Sequence, residues 1–561
     1  MSKRFPRVTN LALAIFCLAS ATAANAGTTA NDDFYGTTEP FASEAIYFVM
    51  TDRFVNGDPS NDHRDQGGKD PALRTFDRPV PDANGDNIGY LGGDFKGIVE
   101  NADYIRDMGF TSVWVTPIVD NPDQAFTGGS PIGSDAFFKD QGKTGYHGYW
   151  GVNFYKLDEH LPSAGLDFAG FTRAMKDKQL DVVLDIVGNH GSPAYSMPKM
   201  QSQYGKLYDR EGKLIADHQN LDPDRLDPAH KRLHAFYNTS GGLAQLSDFD
   251  EDNPAVLDYL VGAYEQWIDQ GATAFRVDTI GWMPHKFWKA FADRIRAQHP
   301  GFFMFGEDFN YDAATIAGHT LPRNGGISVL DFPLRGKLME VFEKQGSDFA
   351  ELEKALYLED GPYANPYDLV TFYDNHDMAR MNASDQGFID ANNWLFTARG
   401  IPAVYYGSET GFMRGHAEHD GNRNYYGQER VDAADRSPIH PALKRIATLR
   451  RDSPALQRGL QLNLRLKGDE AVFYRVYEHE GITQTALVLL NKGDAARSIQ
   501  VDEFLQPGTW RDGFGGKKIK IGGQLQIDVP AHDVRVLFFD QPLTRKDLRA
   551  RLADSMARKD R

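Results

Sequence analysis

Short apolar runs alternate with amphipathic stretches over residues 44–452, and this alternation predicts an α/β fold with a parallel sheet. Buried parallel strands read as continuous apolar runs, whereas a surface helix repeats its apolar residues every three to four positions. Eight strands are predicted, at residues 45–50, 109–117, 181–187, 271–278, 301–307, 327–332, 369–373 and 401–406. Helices are predicted at residues 98–108, 168–178, 254–269, 287–298 and 392–399. Eight strands favour a closed (β/α)8 TIM barrel over a doubly wound sheet, for which no Gly-rich GxGxxG turn is present.

The alternation of apolar runs and amphipathic stretches is absent at both ends of the chain and is interrupted once within residues 44–452. Residues 191–253 are polar with weak periodicity and predict an insertion, so that the barrel comprises residues 44–190 and 254–452. Residues 453–540 alternate or are β-branched, with turns between, and predict an all-β domain. Its six strands are expected at residues 461–466, 471–477, 485–490, 498–501, 524–529 and 534–539. Residues 27–43 are polar and are expected to form a poorly ordered leader. Residues 541–561 are a basic tail, for which a solvated helix is favoured over a binding tail.

Residues 1–26 have the pattern of a secretory signal peptide. Three basic residues, Lys3, Arg4 and Arg7, precede an apolar run at 11–20 and a small-residue cleavage site at 24–26. A short membrane anchor is the alternative, but the apolar run is shorter than the ~20 residues that a span needs. The sequence therefore predicts a secreted or periplasmic protein with no membrane association.

The formal net charge of −17 at pH 7 narrows the choice of partners. An acidic surface argues against nucleic acid and anionic lipid and suits a neutral polymer or a cation. The single cysteine, Cys17, falls within the predicted signal, so no disulfide is expected and the core must stabilise the fold. We expect a monomer.

Polar residues gather just past several predicted strand ends, which face one mouth in a parallel barrel. They are Asp52, Arg53, Asn189, His190, Arg276, Asp278, Glu307, His376 and Asp377. Arg276 and Asp278 are two apart and share one face of a strand, which an ordinary buried ion pair would also explain. Converging carboxylates suggest glycoside hydrolysis, whose retaining form needs an ionised nucleophile and a protonated acid about 5 Å apart. Arg276 would keep Asp278 ionised, and the apolar run before Glu307 could raise its pKa.

Four segments resemble, in order and spacing, the signature regions of the α-amylase family, glycoside hydrolase family 13. They are DVVLDIVGNH (181–190), GATAFRVDT (271–279), FGED (305–308) and FYDNHD (372–377). GIPAVYYGSE (400–409) is similar to the family's eighth strand, and QLSDFDEDN (245–253) to a motif of its inserted domain B. The resemblance covers about residues 44–540. It implies a (β/α)8 barrel, an inserted domain B, a C-terminal β-sandwich domain and cleavage of α-1,4-glucosidic bonds of starch or maltodextrin with retention.

The resemblance also implies roles for individual residues. Asp278 matches the nucleophile, Glu307 the acid/base and Asp377 the third carboxylate, which holds sugar hydroxyls. Arg276 matches the arginine that orients the nucleophile. The other substrate-binding residues implied are His190, His376, Asp185, Tyr149 and, near it, His147. For Tyr149 and Trp150, ordinary loop packing is the alternative.

Four oxygen-bearing residues, Asn56, Asp58, Asn61 and Asp62, lie in one short loop and suit calcium. An Asx-rich turn is the alternative. The loop resembles that of cyclodextrin glucanotransferases, in which a Gly-Gly-Asp segment completes a Ca²⁺ site; Gly92, Gly93 and Asp94 match it here.

A second Ca²⁺ site, between domain B and the barrel, is implied by Asn189 and Asp248. The family often has Lys-His three and four residues after the nucleophile, where this chain has Gly281-Trp282. That departure leaves the second site and the binding of leaving-group sugars in doubt.

Three functions remain open at this point. The favoured one is a hydrolase of the α-amylase type acting on an α-glucan. A cyclodextrin glucanotransferase-like transglycosylase is disfavoured because Ala244 stands where those enzymes have a central aromatic residue, and because the chain shows one β domain after the barrel rather than additional starch-binding domains. Cyclodextrin or short maltodextrin hydrolysis stays possible. A catalytically dead sugar-binding protein would have lost a carboxylate, and all three are present.

Overall fold

The computed structural model describes residues 33–80, 87–136, 139–344 and 346–559, so the predicted signal peptide lies outside the described residues. Eight parallel strands form one sheet in cyclic chain order, and the bridge Leu330–Val370 joins its two edge strands. The strands are β1 Ile46–Val49, β2 Ser112–Val115, β3 Asp181–Val187, β4 Ala274–Asp278, β5 Phe303–Gly306, β6 Ser328–Val329, β7 Val370–Thr371 and β8 Ile401–Tyr405. The predicted (β/α)8 barrel is confirmed.

Helices surround the barrel, and most of the longer ones begin at a side chain that caps their free N–H groups. They are α1 Phe95–Glu100, α2 Ala102–Asp107, α3 Phe168–Asp177, α4 Pro254–Asp269, α5 His285–Gln298, α6 Ala313–Thr320, α7 Phe332–Phe342, α8 Asp385–Leu395 and α9 Ile439–Arg451. Asp94, Asp167 and Asp331 cap α1, α3 and α7 by accepting from a backbone N–H three residues on. Among the described residues, no helix combines the length and apolarity that crossing a bilayer requires.

The polar insertion forms short antiparallel pairs beside the barrel mouth. His190–Pro193 pairs with Leu246–Asp248, and Lys206–Tyr208 with Leu214–Asp217. A further pair, Val119–Asp120 with Asn153–Leu157, lies in the connection between β2 and β3. The first strands of two of these pairs, Val119–Asp120 and His190–Pro193, begin shortly after the carboxyl ends of β2 and β3.

The C-terminal region is an antiparallel β domain of eight strands, two more than predicted. They are β9 Leu460–Lys467, β10 Glu470–His479, β11 Ile482–Asn491, β12 Arg497–Val501, β13 Gly508–Asp512, β14 Lys518–Ile521, β15 Leu525–Val529 and β16 Asp533–Phe539. Six form one sheet, and β12 pairs with β15. Alternate residues of β11 face two cores: Val488 packs toward the barrel, and Leu487 and Leu489 pack against the second sheet. This alternation makes the domain a sandwich.

Several predicted boundaries were wrong. The helix expected at 98–108 is two helices that meet at Asn101, and the one expected at 392–399 is α8, which begins at Asp385. The described part of the leader is ordered, since Phe34 is buried and pairs with Glu478 of β10.

The basic tail was also misjudged as a solvated helix. It forms α10, Lys546–Lys559, but one face of this helix is buried: Leu548, Leu552 and Met556 join the core of the sandwich. Arg558 pairs with Glu359 at 2.7 Å, which attaches the helix to the barrel as well. Apolar contact and ion pairs together decide its position.

One ion pair that joins the sandwich to the barrel predicts a pH dependence of stability. His532, in the turn before β16, has Nδ1 2.7 Å from Asp390 Oδ2 of α8 and Nε2 3.0 Å from Asp494. The hydrogen bond to Asp390 is the main cause that raises the pKa of His532 to about 9. Burial raises the pKa of Asp390 to about 6, so both groups are charged between these values.

We expect His532→Gln to lower the free energy of unfolding at pH 7 by on the order of 1–2 kcal/mol, between the values of exposed and buried ion pairs. Because the folded pKa of His532 is above that of an unfolded histidine, its contribution is present at pH 7, where Asp390 is also charged, and is lost as pH rises through about 9. Urea unfolding at pH 7 and pH 10 measures this. Asp494→Asn is the control, since that carboxylate is exposed. An equal loss at both pH values would contradict the prediction.

Candidate active site

Three neighbouring strands place the acidic side chains predicted at the barrel mouth. Asp185 on β3 is in register with Arg276 on β4, and Asp278 ends β4. Glu307 directly follows β5, where its backbone N–H donates to the carbonyl of Val277 at 2.8 Å. Because β3, β4 and β5 are adjacent and parallel, these side chains meet at one end of the sheet.

Arg276 is the centre of this cluster and is fully buried. Its Nη1 lies 2.8 Å from Asp185 Oδ1 and 2.9 Å from Asp278 Oδ1. Its Nη2 lies 2.6 Å from Glu307 Oε2. One guanidinium therefore holds three carboxyl groups, which an isolated structural ion pair would not require.

Glu307 combines a raised pKa with an oxygen that has no protein partner among the described residues. Burial raises its pKa to about 8; Arg276 opposes this rise, and Asp377 and Asp278 reinforce it. Its Oε1 is buried and has no hydrogen-bond partner among the described residues. The site thus places an acid with a raised pKa and a free oxygen beside Asp278, which the guanidinium holds, and acid and nucleophilic catalysis need such a pair of carboxyl groups.

Tyr149 lies within this cluster. Its hydroxyl donates to Asp185 Oδ2 at 2.7 Å, and its ring is parallel to that of His376 with centroids 5.2 Å apart. Trp150 instead packs with Phe126 and Tyr204 in a separate small core. Loop packing therefore describes Trp150 but not Tyr149.

Three buried histidines adjoin the acids. Burial lowers the pKa of His147, His190 and His376, and the charge of Asp278 partly opposes this for His190 and His376. His147 Nδ1 accepts from the backbone N–H of Tyr149 at 3.1 Å. Neutral imidazoles both donate and accept hydrogen bonds, which suits contact with hydroxyl groups.

Asp377, just past β7, is held by a residue that the sequence analysis missed. Arg423 Nη2 donates to Asp377 Oδ1 at 2.6 Å, and His376 Nε2 lies 3.2 Å from Oδ2. Arg423 lies in the loop after β8, within HDGNRNYY. A basic residue in a loop on the mouth side of the barrel is the signal that could have identified it.

Exposed aromatic rings lie near the acids. Trp282, four residues after Asp278, is 56% exposed; Phe309 and Tyr311, just after Glu307, are 55% and 45% exposed. Sequence reasoning noted Trp282 only as a departure from a motif and overlooked the other two. Large exposed apolar rings beside a cluster of catalytic type indicate a binding surface.

The predicted calcium loop has the oxygen donors that a hard cation needs. Asn56 Oδ1 and Asn61 Oδ1 are buried and have no hydrogen-bond partner among the described residues. Asn56 Nδ2 donates to Asp62 Oδ1 at 2.8 Å. At Gly92 a Cβ atom would lie 2.3 Å from Asn56 Nδ2, so only glycine fits there. Two orphaned buried amide oxygens fit Ca²⁺ better than a plain Asx turn, in which these oxygens would be bonded.

The other members of the predicted set have protein partners. Asp58 Oδ1 accepts from the N–H and hydroxyl of Ser60, and Asp94 caps α1. At the second predicted site, Asp248 accepts from Asn238 Nδ2 at 2.9 Å. Its strand pairs with the one that begins at His190, next to Asn189. No group of three or more His, Cys, Asp or Glu side chains suited to a metal occurs in the described ranges, so a second Ca²⁺ stays a prediction.

Comparison with known proteins identifies relatives over most of the chain. The alpha-amylase catalytic-domain model matches residues 48–443. A cyclomaltodextrin glucanotransferase of Klebsiella oxytoca is 29% identical over 547 residues, which cover 86% of this chain and 75% of that protein. One of Niallia circulans is 30% identical over 491 residues and covers 85% and 63%, so the chain spans less than two thirds of that relative.

Two solved structures also match most of this chain. CldA, described as a cyclomaltodextrin glucanotransferase with a three-domain ABC distribution, has a TM-score of 0.71 and 29% identity, covering 89% of this chain and 99% of that one. An Anoxybacillus alpha-amylase has a TM-score of 0.68 and 26% identity, covering 90% and 99%. Both an amylase and a glucanotransferase therefore match nearly the whole described fold.

We expect Ca²⁺ to stabilise the protein through Asn56 and Asn61. A ligand that binds only the folded state adds about 2–3 kcal/mol at a hundred times its Kd. Thermal unfolding with a chelator, then with Ca²⁺ restored, measures this gain. The double variant Asn56→Ala/Asn61→Ala should lose the response, while Asp248→Ala tests the second site separately. A double variant that still responds as the wild type does would exclude this loop as the site.

Proposed function

The chain belongs to the α-amylase family, and from this we propose that it is a retaining glycoside hydrolase that cleaves α-1,4-glucosidic bonds of starch or maltodextrins. The observation that carries the proposal is the single guanidinium of Arg276, which bridges Asp278 and Glu307. Two acids held by neighbouring nitrogens of one group lie close together, and a retaining mechanism needs carboxyl groups only about 5 Å apart.

In the first step, the Asp278 carboxylate attacks the anomeric carbon while Glu307 gives its proton to the glycosidic oxygen. The bond to the leaving sugar breaks, and a covalent glycosyl ester forms on Asp278. The unpartnered Glu307 Oε1 supports its role as donor, because it faces no competing protein group among the described residues. Arg276 orients Asp278 through its Nη1, which lies 2.9 Å from Asp278 Oδ1.

In the second step, Glu307, now a carboxylate, takes a proton from water, and the oxygen of that water attacks the anomeric carbon. The ester breaks, Asp278 is released, and two inversions give net retention. If a sugar hydroxyl takes the place of water, the same residues perform transglycosylation.

The remaining polar residues would bind the sugar in the cleaved subsite. Tyr149 offers a ring for stacking, and neutral His147, His190 and His376 offer hydrogen bonds to hydroxyls. Asp377 would hold sugar hydroxyls, and Asp185 fixes Arg276 and Tyr149 by accepting hydrogen bonds from both. A neutral glucan suits this set because its hydroxyl rim and apolar faces match both kinds of contact.

Transglycosylation is the second candidate, and the comparisons favour it. The Klebsiella and Niallia relatives are named glucanotransferases. CldA is described as a glucanotransferase with three domains, so a single β domain after the barrel is no argument against transglycosylation. Ala244 still offers no aromatic ring, although its carbonyl accepts from the hydroxyl of the half-buried Tyr195 at 2.8 Å. We favour water as the acceptor on the ground of Ala244.

A calcium ion held by the amide oxygens of Asn56 and Asn61 would supply structural anchoring near the mouth and take no part in proton transfer. The signal-like pattern of residues 1–26 supports export of the enzyme.

We expect Asp278→Asn and Glu307→Gln each to reduce kcat on maltodextrin at least about a thousandfold. The Glu307→Gln variant should regain activity on glucosyl fluoride, because the fluoride leaving group needs no proton. Because Glu307 must be protonated, kcat/KM of the wild type should fall as pH rises through about 8. Asp308→Asn is the matched control, since Asp308 pairs with His319 and takes no part in the cluster around Arg276. An active Asp278→Asn enzyme would overturn the assignment.

The reaction class is tested by incubating the purified protein with soluble starch and resolving products by size. We expect short linear maltooligosaccharides, rising reducing ends and an initial excess of the α-anomer by NMR. Cyclic or longer products with few new ends would make the enzyme a glucanotransferase. No change on starch, maltodextrin or cyclodextrin would contradict the catalytic assignment itself.

A further inference from the structure

Two loops meet beside Asp377 through a chain of ion pairs that the mechanism does not use. Arg423, which holds Asp377, also pairs through Nη1 with Glu418 Oε1 at 2.8 Å. The same Glu418 oxygen lies 3.4 Å from Lys143 Nζ. Lys143 belongs to the loop that leads to Tyr149, and Glu418 and Arg423 to the loop after β8. We call these three residues, Lys143, Glu418 and Arg423, the charged wall.

The two cations of the charged wall are buried, Glu418 is 31% exposed, and the charges are paired without any ligand. The side chains of Lys143 and Arg423 are only 8% and 6% exposed. Lys143 is paired at its other side with Asp140 at 2.9 Å, and Arg423 donates from Nε to the carbonyl of His376 at 2.9 Å. Since each cation has at least two protein partners, a neutral sugar would have to break buried ion pairs in order to pass, and breaking such pairs is costly.

The position of the acid shows which side of the substrate the charged wall meets. Glu307 must reach the glycosidic oxygen, so the leaving group lies on its side of the mouth. There the chain continues to the exposed rings of Phe309 and Tyr311. Asp377 follows β7 and the wall follows β8, beyond the sugar whose bond is cleaved. The wall therefore lies on the glycone side, and the aromatic side is open.

We propose that the charged wall closes the glycone side of the site, so that the enzyme acts from the non-reducing end of a glucan and releases short products. This inference rests on the proposed function. An interior bond of a long chain needs room on both sides of the acids, and the wall removes that room on one side. Ring closure also needs several glucosyl units on the glycone side, so the wall disfavours cyclic products.

Two substrates that differ at one end test the proposal. They are 4-nitrophenyl α-maltoheptaoside with a free non-reducing end and the same compound blocked there by a 4,6-ethylidene group, with products followed by chromatography. We expect the blocked substrate to be cleaved at least tenfold more slowly and the free one to yield short glycone fragments first. Equal rates would overturn the proposal. Failure to cleave either one, or starch, would instead overturn the proposed function.

Variants of the wall connect the effect to these residues. Lys143→Ala/Glu418→Ala removes one charge of each sign and leaves Arg423 paired with Asp377. We expect the ratio of blocked to free rates to rise at least tenfold and the released fragments to lengthen. A folded double variant with an unchanged ratio would overturn the role of the wall. In the milder variant Glu418→Gln, Lys143 stays paired with Asp140. This variant should shift the ratio of rates in the same direction, and it replaces the double variant if that one does not fold.

The matched control is Lys176→Ala/Asp181→Ala. Lys176 Nζ lies 2.8 Å from Asp181 Oδ1 at the start of β3, at the opposite end of the barrel. Removing this lysine–acid pair should leave the ratio of rates unchanged. A shift equal to that of the wall variant would show that the ratio reports general loosening of the barrel and would overturn the proposal.

Discussion

The buried guanidinium of Arg276 is the interaction on which the site depends. A cation with no exposed surface is costly unless it is paired, and so are three carboxyl groups at one point. One positive charge cannot balance three negative ones, and burial raises the pKa of Glu307 to about 8 and that of Asp185 to about 7. Asp185 accepts hydrogen bonds from two neutral side chains as well, whereas Glu307 has an oxygen with no partner among the described residues. Of these two acids, Glu307 is therefore the one with an oxygen free to give a proton to a substrate.

Strand register makes this arrangement possible. Arg276 lies directly opposite Asp185 in the parallel pairing of β3 and β4. A shift of one residue would turn Arg276 and Asp278 to the other face of the sheet and separate all three acids. Helices packed outside the barrel, such as α3 against β3, help to fix that register. The chemistry thus constrains a much larger part of the chain than the few residues that touch the substrate.

The barrel and its acids could be predicted because their signals are local. Apolar runs mark buried strands, and the spacing of Arg276 and Asp278 fixes their common face. Strands β13 and β14 escaped prediction because they lie around a glycine-rich turn and β14 ends the sheet, where backbone pairing, not an apolar pattern, defines a strand. The charged wall escaped because Lys143 and Glu418 are 275 positions apart. Only the folded barrel brings their loops together.

Asp377 interacts both with the catalytic acids around Arg276 and with Arg423 of the charged wall. Its position between them explains why the two sides of the barrel mouth differ. Its negative charge raises the pKa of Glu307 on one side, while Arg423 binds it from the other. The charged wall reaches its balance without substrate, so it is preorganised and need not rearrange when a neutral sugar enters. On the opposite side, the exposed rings of Phe309 and Tyr311 would bind sugars by stacking, which tolerates sugars in many registers. A rigid polar side and a permissive aromatic side favour a short glycone and a variable leaving chain. Whether water or a sugar hydroxyl acts as the acceptor then depends on whether a leaving-group sugar stays bound on the aromatic side after the glycosidic bond is broken.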